Sequence, residues 1–127
     1  MDEQQHHEEL VKGITEDMKP VLDKSGQAIY IYLDDSHKIC NKKFADLLGY
    51  KSPKEWSDTK APLADVIEKD QQNVIDAYMN ASAKMLASTI KVSLKNIKTG
   101  EIMKTNMVIA PIGHAGHVFT VHFFSRI

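Results

Sequence analysis

The stretch Gln27–Tyr50, QAIYIYLDDSHKICNKKFADLLGY, decides how the chain folds. Ala28 to Leu33 has the β-branched and aromatic composition of a strand. Asp34, Asp35 and Ser36 read as a turn, and Lys38 to Cys40 as a short second strand. Asn41 is placed to cap a helix, because its side-chain oxygen accepts a backbone N–H of the first turn. Phe44, Leu47 and Leu48 give that helix an apolar face. Gly49 stops it, since glycine takes the left-handed C-cap without strain.

The order continues on both sides of this unit. Glu3 to Leu22 reads as an amphipathic helix with Leu10, Ile14 and Met18 four apart, and Pro20 predicts a break near Lys19. Lys24, Ser25 and Gly26 form a loop. Downstream, Ser52-Pro53-Lys54-Glu55 is a helix start, with Trp56 just inside it. Ala61 to Lys69 reads as a short helical segment bearing Leu63, Val66 and Ile67. Asp70 is placed to cap a longer helix to about Ala87, with Val74, Tyr78 and Met85 near one stripe and Ile75, Met79 and Leu86 beside it.

The apolar period then changes from 3.6 to 2. Ile90, Val92 and Leu94 alternate with Lys91, Ser93 and Lys95, and after a Lys98-Thr99-Gly100 turn Met103, Thr105, Met107 and Ile109 alternate with Lys104, Asn106 and Val108. Pro111 to Gly116 predicts a second turn, and Val118 to Phe124 a last strand. Three strands joined by short turns make an antiparallel meander. The class is α+β.

The chain has 127 residues, 43% hydrophobic and 26% charged, with a formal net charge of −1. That balance suits one globular domain and excludes a broadly basic nucleic-acid surface. No apolar run reaches membrane-spanning length, so no membrane association is expected. One cysteine, Cys40, cannot form an internal disulfide, and the acidic start MDEQQHHEEL is not a secretory signal. A cytoplasmic protein is the expectation.

The series Asn41-x-x-Phe44-x-x-Leu47-Leu48-Gly49-Tyr50 matches a pattern of the PAS domain family at every position, and Val66-x-x-x-Asp70 resembles that family's approach to its long helix. The chain therefore resembles a PAS domain over about residues 27–125. The resemblance implies a five-stranded antiparallel sheet of order 2-1-5-4-3 with helices on one face. Residues 1–26 would be a flanking helix and loop, and 27–127 the PAS-like domain. Two departures are visible: the second strand is about two residues short, and the usual glycine of the first turn is replaced around Ser36 and His37.

Alternation places Ile29, Ile31, Leu33, Val92, Leu94, Met107, Ile109, Phe119, Val121 and Phe123 on one face, enclosed by Phe44, Leu48, Ile67, Val74 and Tyr78. The resemblance implies that a small apolar or mixed-polarity ligand would lie there. The residues expected to contact it are Ile31, Leu33, Phe44, Leu48, Ile67, Val74, Tyr78, Val92, Met107, Ile109 and Phe119. The opposite face would carry Tyr30, Tyr32, Thr120, His122 and Phe124, too apolar to meet water. Leu10, Ile14 and Met18 with Tyr30, Tyr32, His122 and Phe124 are the expected interface of a homodimer.

Specific chemistry is sparse. The family's flavin-binding light sensors place a cysteine within Asn-Cys-Arg on a helix, whereas Cys40 precedes its asparagine at a strand end. Haem-binding members place a histidine on or near the long helix, and Asp65 to Leu86 contain none. Neither cofactor is expected. His114 and His117 in the last turn lack further ligands at metal spacing, and the adjacent His6 and His7 read as solvated. No phosphate loop or catalytic motif occurs. The expected function is a non-enzymatic sensory and signal-transduction module signalling to a protein partner in trans. The alternatives are a ligand-free dimerisation adaptor and a small α+β enzyme such as an isomerase.

Overall fold

A computed structural model describes residues 3–34, 37–59 and 63–127. The elements are α1 (Glu3–Lys24), β1 (Ala28–Asp34), β2 (His37–Cys40), α2 (Lys42–Leu48), α3 (Pro53–Ser57), α4 (Glu68–Lys84), β3 (Ser88–Lys95), β4 (Ile102–His114) and β5 (His117–Arg126). The five strands form one antiparallel sheet of order β2-β1-β5-β4-β3. Helices α2, α3 and α4 cover one face, and α1 covers part of the other.

The Asn41 unit forms as its residues dictate, and its asparagine does more than cap. Asn41 Oδ1 accepts from Phe44 N at 3.0 Å and from Ile29 N at 3.1 Å. Its Nδ2 donates to the Gln27 carbonyl at 2.8 Å. One buried side chain thus starts α2 and secures it to β1. Gly49 ends α2 at φ 85°. A Cβ there would lie 2.4 Å from Asn96 Oδ1, so the position requires glycine for space as well as for φ. Asn96 holds the β3–β4 turn, accepting from Lys98 N and Thr99 N, and donates to the Leu47 carbonyl. At α3, Ser52 caps as its sequence predicts, with Oγ accepting from Glu55 N at 3.1 Å.

Several boundaries differ from the sequence expectation. α1 runs through Pro20 to Lys24, because Pro20 is exposed while Leu22 beyond it packs against the sheet. β2 is one residue longer than expected, starting at His37. Asp35, Ser36 and Ala61 lie outside the described residues. From 63 to 65 the chain turns instead of coiling, and Val66 forms a bridge to Leu94. The long helix starts at Glu68, and Asp70 does not cap it, since its carboxylate accepts from Ser93 N of β3 at 2.8 Å. That helix ends at Lys84 rather than Ala87, where Met85 turns left-handed at φ 56°. Pro111 lies inside β4, opposite Thr120, and the turn shrinks to Ala115 and Gly116, both at positive φ. Proline is tolerated there because it lies past the last β3 pairing, Ser88 with Ile109, where β4 has an open edge.

The largest correction concerns the faces of β1 and β5. Tyr30 pairs with His122, which pairs with Ile109. Tyr30, Tyr32, His122 and Phe124 therefore share the face of Ile109, Met107 and Val92, beneath α2–α4. Ile29, Ile31, Leu33, Phe119, Val121 and Phe123 face α1 instead. Leu10, Ile14 and Leu22 of α1 are buried, Ile14 and Leu22 against that outer patch. Burial of each contributes roughly 1.5–3 kcal/mol. Gly13 belongs to this contact: a Cβ there would meet His114 Nε2 at 3.0 Å, and one turn on, Asp17 pairs with His114 Nδ1 at 3.2 Å.

Candidate ligand cavity

Beneath α4, the inner face of β1 and β5 leaves a cavity of about 140 Å³. It is lined by Tyr30, Tyr32, Leu63, Val74, Ile75, Tyr78 and His122, with the exposed Ile75 at its rim. Tyr30 and His122 stack with centroids 3.9 Å apart at 11°. Phe44, Trp56 and Phe124 pack round the Tyr30 ring at 5.1 to 5.8 Å. Tyr32 meets Tyr78 of α4 edge-on at 5.2 Å. These aromatic contacts prop the wall while the α4 side stays aliphatic.

His122 is the chemically distinctive wall residue. It is 1% exposed, and its Nδ1 has no hydrogen-bond partner among the described residues. Burial pushes its pKa down to about 3, partly opposed by the nearby Tyr30 backbone. The ring is therefore neutral near pH 7. Burial raises the Tyr30 phenol, as does the neighbouring Tyr32, so it too stays uncharged. The wall is aromatic and aliphatic and uncharged, with one unpartnered imidazole nitrogen buried within it.

A separate buried polar group braces α3. Asp65 accepts from Tyr50 Oη at 3.0 Å and from Trp56 Nε1 at 3.2 Å. Burial raises its pKa, opposed by those two bonds and by Lys38. The buried Lys38 donates to Thr59 Oγ1 and lies over the Trp56 ring at 4.4 Å. Burial lowers its pKa, opposed by Asp65 and Cys40. This network holds α3 and α2 to β2 and lies outside the cavity. Cys40 is buried beside it, 4.0 Å from the Pro53 carbonyl, and burial pushes its thiol up to about 12. Such a thiol is a poor nucleophile.

Of the residues expected to contact a ligand, Val74 and Tyr78 line the cavity. Phe44, Leu48, Val92, Met107 and Ile109 belong to the surrounding core, and Ile67 is the N-cap of α4. Ile31, Leu33 and Phe119 lie on the opposite face beneath α1, because β1 and β5 are turned by one residue from the expected phase. The expected interface set likewise splits. Leu10, Ile14 and Met18 belong to α1, whereas Tyr30, Tyr32, His122 and Phe124 point to the inner face. Sequence reasoning missed Tyr30, Tyr32, Leu63, Ile75 and His122 as cavity residues. The signal available was pairing register: Ile109, whose phase is clear, lies opposite His122.

Comparison with known proteins agrees with this architecture. The chain is similar to the PAS domain of an HTR-like protein from Haloarcula marismortui (TM-score 0.65, 12% identity, covering 97% of this chain and 99% of that one). It is similar to the PAS domain of a protein from Colwellia psychrerythraea (TM-score 0.68, 19% identity, 90% and 97%). It is also similar to a LOV protein of Rhodobacter sphaeroides (TM-score 0.69, 14% identity, 100% and 69%). No protein-family model matches the sequence, and no curated protein matches it. The likeness is one of fold, and the fold is that of a PAS domain. Among the described residues, no helix is long and apolar enough to cross a membrane.

Proposed function

We propose that the chain is a sensory module that takes a small molecule into the cavity and passes the change to a protein partner in trans. The cavity of about 140 Å³ between α4 and the inner face of β1 and β5, walled by Tyr30, Tyr32, Tyr78 and the fully buried His122, carries this reading. The unpartnered His122 Nδ1 costs about 1–3 kcal/mol, which a ligand's polar group would recover on reaching it. The neutral imidazole selects an uncharged ligand. A cavity of about 150 Å³ accepts benzene, so this one suits a compact, mainly apolar molecule. It is smaller than a flavin or haem ring system, and Cys40 lies outside it.

The route to an output follows from the sheet. Along β1 and β5, residues alternate between the cavity wall (Tyr30, Tyr32, His122) and the seat of α1 (Ile29, Ile31, Val121). Displacement of the wall therefore moves the surface under α1. Signalling is supported by likeness to a PAS domain from a two-component sensor histidine kinase. The reading is non-enzymatic: among the described residues the wall offers no carboxylate to pair with His122. Homodimerisation stands as a further proposal, using the exposed side of α1.

Native mass spectrometry and an absorption spectrum of the purified protein test for a retained ligand. Titration with phenol and benzene, followed by NMR, tests the cavity directly. Phenol should shift His122 and Tyr78 resonances and bind more weakly to His122→Phe. Absence of both a retained mass and any shift would favour the ligand-free adaptor.

A further inference from the structure

We propose that His7, Asp34 and His37 form a binding site for a divalent transition-metal ion that clamps α1 to the β1–β2 corner. The three residues come from three elements: the N-terminal part of α1, the last residue of β1 and the first of β2. One ligand atom from each lies within 4.8 Å of the others. His7 Nε2 contacts Asp34 Oδ2, and His37 Nδ1 lies 3.0 Å from both carboxylate oxygens. The imidazole centroids are 5.8 Å apart, edge to face across the carboxylate.

Placement and chemistry point the same way. The Asp34 side chain is 25% exposed and the histidines about 40%, so the site is reachable yet held by its surroundings. One turn beyond His7, Leu10 is buried, and further along α1 Ile14 and Leu22 pack on the sheet. β1 and β2 are paired up to this point, Asp34 opposite His37, across a shift in register after Tyr32. Two imidazole nitrogens and a carboxylate suit zinc, cobalt or nickel, whereas magnesium and calcium prefer all-oxygen sets. Three protein ligands leave a position for water. His6 stands beside the site with its ring 6.1 Å from that of His117, which makes the corner rich in imidazole.

Such an ion would join α1 to the same strand that carries Tyr30 and Tyr32. It would stabilise the docked helix by binding the folded arrangement alone. This site is independent of the cavity, so failure of one reading leaves the other standing.

The test uses the full chain, free of any polyhistidine tag and stripped with chelator. Titration with Co²⁺, read by its d–d absorption, and with Zn²⁺, read by calorimetry, should give one ion per chain. Zn²⁺ should raise the thermal midpoint, and Mg²⁺ should not. Asp34→Asn and His37→Gln should each weaken binding by at least the roughly tenfold that losing an outer-sphere partner costs. His6→Gln should leave it unchanged. Far-UV circular dichroism confirms that the variants fold, and the titration of wild-type protein requires no variant. No saturable binding to wild-type protein, or unchanged binding in the Asp34→Asn, His37→Gln double variant, would overturn the proposal.

Discussion

Asn41→Ala should be among the most damaging single-atom-group deletions in the chain. The substitution removes three hydrogen bonds at a site that is 5% exposed. Loss of the cap to Phe44 N costs about 0.5–2 kcal/mol. Ile29 N, buried in β1, loses its acceptor at about 1–3 kcal/mol. The Gln27 carbonyl belongs to an exposed residue and finds water, so its loss adds little. The sum is about 1.5–5 kcal/mol, centred above an ordinary cap. Asn41→Asp keeps an oxygen for both N–H groups and loses the donor to Gln27, so it should fall between wild type and Asn41→Ala. Urea denaturation followed by far-UV circular dichroism measures both. A cost below about 0.5 kcal/mol for Asn41→Ala, or equal costs for the two variants, would refute the joint role in cap and strand.

The buried His122 makes stability depend on pH. Between about 3 and its ordinary 6.5, the unfolded chain takes up the proton and the folded chain does not. Stability should fall as pH drops through that window, by up to about 1.4 kcal/mol per unit. Asp65, raised by burial, acts in the opposite sense, so the slope is compared with His122→Phe; equal slopes would count against a neutral buried His122. Gly49→Ala should cost more than Gly100→Ala, because both have positive φ but only Gly49 has Asn96 and Lys98 where the Cβ would go. Backbone strain alone costs on the order of 1–3 kcal/mol, and equal melting points for the two variants would refute the steric part. Light scattering at high micromolar concentration tests the homodimer, for which Leu10 and Ile14 are unavailable because they are already buried within one chain. A monomer would leave α1 as an intramolecular cover.

The sheet order and the Asn41 unit were legible because each rests on local chemistry or on a motif in an unbroken stretch. The face assignment of β3 and β4 was legible because lysine, asparagine and serine alternate with their apolar residues. β1 and β5 gave no such phase. Ile29-Tyr30-Ile31-Tyr32 and Val121-His122-Phe123-Phe124 are apolar or aromatic at consecutive positions, since helices cover both of their faces. A one-residue slip there turns every side chain over, and it carried His122 to the wrong side. Asp70 looks like a cap in sequence, and only tertiary structure brings Ser93 N to its carboxylate. His7, Asp34 and His37 share no spacing that marks a site, because α1 returns across the sheet to bring them together.

The burial of Trp56 has an optical consequence. It is the chain's single tryptophan, shielded completely from solvent. Its indole lies beneath the Lys38 ammonium and 5.2 Å from Tyr30, which in turn stacks on His122. The molecule therefore carries one natural indole fluorophore, separated from the cavity by the thickness of one ring. Tyrosines within energy-transfer range on β1 feed it, and the nearby cation sets its emission energy. Any occupant that tilts Tyr30 changes the field at the indole, so the folded protein reports events in its own interior as a change of colour or yield, with no label attached.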